Sequence, residues 1–301
     1  MTRVVTLGEG LAVLRTSEVG SLAQLSQLQV GTGGAEGNVA IGLARLGVPV
    51  TWLGRVGDDG LGRRVARELR AEGVDVVAIV DASAPTGLLL KETPTPGTTA
   101  ITYHRAGSAG SRLSPDDLAQ LQLAEGDHLH LTGVTPALSA SARDTVFAAL
   151  DLAEAVGAVV SYDVNQRSRL WSAEEAAPVH RAIAARARIV FASDDELPLL
   201  GDVEVPELVV TRGAAGASAR LDGRLVEQVA IPLSAVVDTV GAGDAFVAGY
   251  LAERVFGSPV EQRLLTAVRT GAAACLHPGD WEGAATRTDL DRALIGDPVH
   301  R

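Results

Sequence analysis

A chain of 301 residues with 47% hydrophobic and 21% charged side chains can bury a large core, as one large α/β domain or two small ones. A net charge of −11 argues against a nucleic-acid partner, which needs a basic face, but not against a small anion held by a few local arginines. One cysteine, Cys275, excludes an internal disulfide and a cysteine metal cluster, and one lysine, Lys91, set between Leu90 and Glu92, excludes a P-loop.

In chain order, the N-terminal MTRVVTLGEG lacks the apolar run of a signal peptide, and residues 3–8 within it read as a buried strand. Residues 9–32 show no helical period. Residues 35–47 read as a helix closed by Gly47, 49–57 as a strand, and 60–73 as a helix stopped by Gly73. Residues 84–107 break the alternation again and look like two strands joined by the turn TPTPG. A strand at 127–133, a helix at about 139–156, a strand in 157–165, a helix at about 174–186, and strands at 187–193 and 207–213 follow. Helices at about 241–256 and 259–275 close the series.

This alternation predicts a mostly parallel sheet covered on both faces, with ligands bound beyond the carboxyl ends of its strands. DVNQR, ASDDE, TRGAAGA and VGAGD all fall at such ends. The two interruptions predict a small β excursion, either an edge hairpin or a lid over a site. No linker, repeat or low-complexity segment divides the chain, so one domain over residues 1–301, with its lid at about 9–32 and 84–107, is expected. No apolar run reaches membrane-spanning length, and a cytoplasmic protein is expected.

The densest chemistry is in DTVGAGDAF, residues 238–246. Gly241, Ala242 and Gly243 lead into a helix, where outward-facing amides and the helix dipole favour an anion. Asp244 falls in the first turn, where the positive helix end favours the ionised carboxylate that a general base needs. A phosphate on the amides and a hydroxyl at Asp244 would be arranged for phosphoryl transfer. A glycine-rich turn with Asp244 as a helix-start residue accounts for the same letters, and the stretch alone does not decide between the two.

DTVGAGDAFVAGYLA closely resembles the C-terminal signature of the ribokinase-like (PfkB) carbohydrate kinases, and GGAEGNVAIGLARLG (33–47) resembles their N-terminal glycine pair and substrate asparagine. YHRAGSAGS, LTGVTPALS, DVNQR and GDWEG narrow the resemblance to the 2-keto-3-deoxygluconate kinases. It runs from the first strand to about residue 290. The resemblance implies a ribokinase-like three-layer sandwich with a mostly parallel central sheet and a small β-sheet lid. It implies Asp244 as catalytic base and the amides of Gly241, Ala242 and Gly243 as the anion hole. Gly34 and Asn38 would hold sugar hydroxyls, Tyr103 and Arg105 would close over the substrate, and Arg167 would face a sugar acid's carboxylate. Asp280 would meet the substrate region from the C-terminal side. Asn165 and Ser193 would lie near the ATP phosphates, and Thr211, Gly213, Ala215 and Gly216 in the nucleotide loop. Glu196 is similar to the family's acidic residue near Mg²⁺.

Several positions depart from the family pattern. Ser193 stands where Asn is frequent, while Gln166 and Leu89 replace aromatic residues. The 194–206 segment is short, and the helix before the 207–213 strand is expected to be missing. Other residues have plainer readings. Lys91 is expected to be a solvated edge residue that guards an exposed strand. His128 and His130 share a strand face and read as ordinary core or edge histidines, and Cys275 as a buried helix residue. Trp281 either packs near substrate or fills the C-terminal surface.

The resulting expectation is ATP-dependent phosphorylation of a primary hydroxyl on a sugar or sugar acid, using Mg²⁺. 2-keto-3-deoxy-D-gluconate, giving the 6-phosphate, is the favoured substrate. A kinase for a neutral ketose or pentose remains the same-fold alternative, and a non-catalytic sugar-binding regulator the alternative of another class. A monovalent cation near the Asp238 loop stays open. A homo-oligomer formed through the lid sheet is expected.

Overall fold

The computed structural model describes residues 2–95 and 97–293. The chain begins with β1 (Val4–Leu7), β2 (Leu11–Val19) and β3 (Gln29–Gly33), then α1 (Ala35–Arg45), β4 (Val50–Gly57), α2 (Gly60–Ala71) and β5 (Asp75–Asp81). β6 (Leu88–Thr93) and β7 (Ala100–His104) follow, then β8 (His128–Thr132), α3 (Thr135–Leu138), α4 (Ala140–Val156) and β9 (Val159–Asp163). The second half holds α5 (Ala173–Ala184), β10 (Ile189–Ser193), α6 (Leu197–Leu200) and the strands β11 (Glu207–Thr211), β12 (Ala217–Leu221) and β13 (Arg224–Gln228). It ends with α7 (Ala242–Val255), α8 (Val260–Ala274) and α9 (Arg287–Ala293).

The large sheet has the order β13-β12-β11-β10-β9-β8-β1-β4-β5. The run from β11 to β5 is parallel throughout, while β12 and β13 are antiparallel. Its central strands are apolar on both faces because helices cover both, and their successive residues alternate between two cores. Val4, Trp52, Ile189 and Phe191 pack under α1, α2, α7 and α8, alongside Ile41, Leu69, Tyr250 and Leu264. Val5, Leu7, Leu53 and Val190 face the other way, into Val146 and Leu150 of α4, Ile183 of α5 and Leu199 of α6.

Local signals fix the helix ends. Ser139 caps α4 by accepting from Ala142 N at 3.0 Å, and Gly157 closes it in the left-handed region at φ 73°. Ser172 and Glu175 form a reciprocal capping box on α5.

The small sheet has the order β3-β2-β6-β7, with β2 and β6 parallel and both outer pairs antiparallel. Leu11, Val13 and Leu89 form its buried face against Ile101 and Tyr103. Three strands were not anticipated by the sequence reading: β5, β12 and β13. The helix expected to be missing before the 207–213 strand is present as a 3-10 turn, Asp194–Glu196, running into the single turn of α6.

Lys91 is also a correction. It is 6% exposed, because its side chain turns away from solvent toward Asp238. His128 and His130 are core residues, both hydrogen-bonded to Ser161 Oγ. Cys275 is half-buried rather than buried, at a cavity wall.

Candidate active site

The segment past the carboxyl end of β9, with Asn165 and Arg167, and the N-termini of α1 and α7 meet at Asp244. This carboxylate is 7% exposed and accepts from Asn38 Nδ2 at 2.7 Å. Asn38 points there because α1 starts at Gly34, whose φ of 131° only glycine adopts easily. A Cβ on Gly34 would lie 2.3 Å from the Glu9 carbonyl oxygen, so the turn also needs the missing side chain.

Burial pushes the Asp244 carboxyl up to about 6; Asn38 and Arg167 pull it down, and Glu36 pushes it further up. The sequence reading weighed only the helix dipole, and desolvation outweighs it. At neutral pH the group is still mainly ionised, as a base must be.

Gly241 adopts φ 76°, and a Cβ there would lie 1.8 Å from the Asp280 carbonyl oxygen. Ala242 N reaches only Thr239 O, at 3.3 Å. Gly243 differs: a Cβ on it would meet nothing within 4 Å, because it faces a cavity. That cavity measures about 550 Å³ and is lined by Thr211, Gly213, Gly216, Ala242 and Gly243 together with the apolar Phe246. Ala215, expected there, is not among its lining residues; the wall includes its neighbour Ala214. Asn165 and Ser193 lie outside this cavity too, at the ends of β9 and β10.

Between those ends sits an acidic cluster. Glu196 accepts from Gln166 N at 2.6 Å and Ser193 N at 2.8 Å, and so ties β9 to β10. Asp163 accepts from Asn165 Nδ2 at 2.9 Å. Burial pushes the Asp163 carboxyl up to about 8, Glu196 and Asp244 add to this, and Asn165 and Arg167 oppose it. Asn165 has φ 40°, and its buried Oδ1 accepts no hydrogen bond from the described residues.

A second cavity, of about 670 Å³, is lined by Tyr103, Arg105, Gln166 and Arg167 among others. It joins the lid strand β7 to the end of β9. Arg167 is exposed, and its field reaches both Asp163 and Asp244. Arg105, expected to close over the substrate, is already paired within the protein. Its Nε and Nη2 pair with Glu9 at 2.7 and 2.5 Å, and its guanidinium lies 5.3 Å from the Tyr103 ring centroid. Ser108 Oγ also donates to Glu9.

Sequence reasoning missed Glu9, which is 1% exposed; an acid in LGEG, just past a buried strand, was the available signal. It also missed Glu36, whose carboxyl is raised by burial although the hydroxyls of Thr132 and Thr135 both donate to it at 2.6 Å.

Gln166 is held from behind. Its Oε1 lies 2.9 Å from His180 Nε2, and His180 Nδ1 lies 2.5 Å from the Tyr162 hydroxyl. Asp280 is 7% exposed and pushed up to about 7 by burial; Lys91 opposes the shift, and Glu282, Asp244 and Asp238 add to it. Trp281 donates to Thr32 O at 3.0 Å, docking the 279–283 loop on β3.

An amide-lined helix start beside a mainly apolar cavity, with a buried carboxylate in the first turn of the same helix, is an arrangement suited to phosphoryl transfer in an α/β protein. Comparison with known proteins agrees. Residues 1–287 match the pfkB family carbohydrate kinase family, and the chain belongs to it. It is 34% identical to the 2-dehydro-3-deoxygluconokinase of Bacillus subtilis (strain 168), over 95% of this chain and 93% of that one. It is 32% identical to the 2-dehydro-3-deoxygalactonokinase of Haloferax volcanii, over 97% and 96% of the two chains. It is 34% identical to a fructokinase of Klebsiella pneumoniae, over 97% and 99%.

Among solved structures, a protein described as Ribokinase II from E. coli, in complex with ATP and Mg²⁺, superposes with a TM-score of 0.89. The two are 25% identical, over 99% of this chain and 100% of that one. A double mutant of the Vibrio cholerae O395 fructokinase, with fructose, ADP and potassium bound, gives 0.86 at 26% identity, over 97% and 98%. The fold is ribokinase-like, and the protein is an ATP-dependent sugar kinase. Among the described residues, no helix is long and apolar enough to cross a membrane.

Proposed function

We propose that this kinase phosphorylates the primary hydroxyl of a 2-keto-3-deoxy sugar acid, with 2-keto-3-deoxy-D-gluconate favoured and the 6-phosphate as product. The observation that carries the reading is Arg167: an exposed guanidinium on the wall of the 670 Å³ cavity, close enough to Asp244 to lower its pKa. A planar fork facing that cavity suits a carboxylate, with the substrate's far hydroxyl reaching Asp244. Arg105, bound to Glu9, would shape the cavity and hold Tyr103 against the sugar rather than bind the acid itself.

In this reading Asn38 orients Asp244, and Asp244 takes the hydroxyl proton as oxygen attacks the γ-phosphorus. The amides of Gly241, Ala242 and Gly243 stabilise the negative charge that develops on the transferred group. Gly34 and Asp280 border the sugar side. Thr211, Gly213 and Gly216 line the nucleotide cavity, with Ala215 behind that wall. The carboxylates of Asp163 and Glu196 and the free Oδ1 of Asn165 are hard oxygen donors at the β9 and β10 ends, beside Ser193. They suit Mg²⁺, held directly or through water, which would neutralise phosphate charge.

ADP release measured across 2-keto-3-deoxygluconate, its galactonate epimer, fructose and ribose tests the reading. The highest kcat/KM is expected for one of the keto acids. The highest value for fructose or ribose would replace the reading with the neutral-sugar alternative, which the Klebsiella pneumoniae relative favours.

A further inference from the structure

Lys91 is the only lysine in the chain and sits among its least solvated charges. It belongs to β6 of the small sheet, yet its ammonium pairs with Asp238, at the start of the glycine loop, and stands 3.8 Å from Asp280 Oδ1. The Asp238 and Asp280 side chains are themselves only 9% and 6% exposed. Among the described residues, Lys91 is the only cation recorded in an ion pair with either.

Each acid organises a segment of the active site. Asp238 also accepts from Val240 N at 3.1 Å and from Gly279 N at 3.3 Å, so it clamps the glycine loop to the 279–283 loop. Asp280 backs against Gly241 through its carbonyl oxygen. Its carboxylate crowds Gly33 at the end of β3, where a Cβ would lie 2.4 Å from Oδ2. Two strands of the small sheet and two loops thus meet around one positive charge. Without it, two buried carboxylates would face each other directly behind the amides of Gly241–Gly243, an arrangement that repels and desolvates at once.

We propose that Lys91 is a positioning residue for phosphoryl transfer. Its tethered ammonium acts as a built-in monovalent cation that holds Asp238 and Asp280 together and so fixes the glycine loop beside Asp244. A lysine ammonium is a compact point charge with three donors on a flexible stem, and it can fill the place of a small free cation. The proposal rests on the sugar-kinase activity and not on the keto-acid reading.

The test uses the full chain and whichever sugar the wild type turns over fastest, so failure of the keto-acid reading leaves it intact. Lys91→Met, neutral and similar in length, is expected to lower kcat about ten- to a hundredfold while both KM values stay nearly constant, as for a misplaced catalytic loop. Lys91→Ala should lose as much and recover when methylammonium or potassium is added, because the space left by the side chain admits a small cation. Lys91→Met fills that space and should not recover, whereas Lys91→Arg should keep more turnover than Lys91→Met. Wild-type turnover should be the same in tetramethylammonium and potassium buffers. That measurement decides the matter even if the substituted chains fail to fold. Wild-type kcat in Lys91→Met, a loss in Lys91→Ala that no cation restores, or wild-type turnover that requires potassium would each overturn the proposal.

Discussion

Asp244, the proposed base, is only 7% exposed, and burial pushes its pKa up to about 6. The sign follows from its role. The ionised carboxylate is the active form, so kcat/KM should fall as pH drops through about 6, toward tenfold per pH unit. A rate that stays flat down to pH values well below the carboxyl's pKa would remove Asp244 as the base. Arg167 lowers that pKa, so Arg167→Ala should move the acid limb to higher pH. The same change should cut kcat/KM for keto acids about ten- to a hundredfold, the range of a lost charged hydrogen bond, and spare fructose. Equal losses on both sugars would reject the carboxylate contact. Asp244 stood out through its glycine loop and Arg167 through its strand-end position, while Asn38 was pointed to only by the family resemblance. Glu9, Glu36 and the inward turn of Lys91 were not legible, since a lone acid or lysine in a sequence carries no sign of which residue it meets across the fold.

The glycine loop and the helix it opens show how one element serves packing and chemistry with different residues. Gly241 is structural: Gly241→Ala would force a left-handed residue to carry a side chain, at about 1 kcal/mol or more, and drive its Cβ into the Asp280 carbonyl. Its melting temperature and its turnover should fall together, and wild-type values in both would contradict the geometry. Gly243 lies inside α7 facing an open cavity, so Gly243→Ala should hold or raise stability by up to about 1 kcal/mol. Its turnover should nevertheless fall, because the methyl group enters the space assigned to phosphate. The strands and helices that carry the site were readable from period and caps. β5, β12 and β13 were not anticipated: β5 does carry an apolar run, Val76–Val80, that sequence reasoning passed over, whereas β12 and β13 form an antiparallel edge ribbon interrupted by Arg220, Arg224 and Glu227 and show no such run.

At the scale of the molecule, the burial that builds the site makes stability depend on pH. The carboxyls of Asp163 and Asp280 are raised to about 8 and about 7, so the folded state holds protons there that the unfolded chain has already lost. Their contribution is complete at low pH and disappears as pH rises through those values. His128, His130 and His180 are lowered by burial to about 3, 3 and 4, so their contribution is present above the unfolded value of 6.5 and is lost as pH falls. The two sets offset each other in mild acid and leave the acids unopposed above 6.5. The urea midpoint should therefore fall from about pH 6.5 to 8.5, and Asp163→Asn should flatten the fall; a midpoint that rises over this range would contradict it. The two-sheet layout was foreseeable from the breaks in βα alternation, whereas the way the small sheet locks onto the 279–283 loop through Lys91 and Trp281 depends on contacts between residues far apart in sequence. The central claim, that Asp244 is the base of this sugar kinase, is tested most directly by ADP formation in Asp244→Asn, with its melting temperature and ATP binding measured alongside. The account predicts a folded, ATP-binding protein with kcat reduced about a hundred- to ten-thousandfold; wild-type turnover in that variant would contradict it.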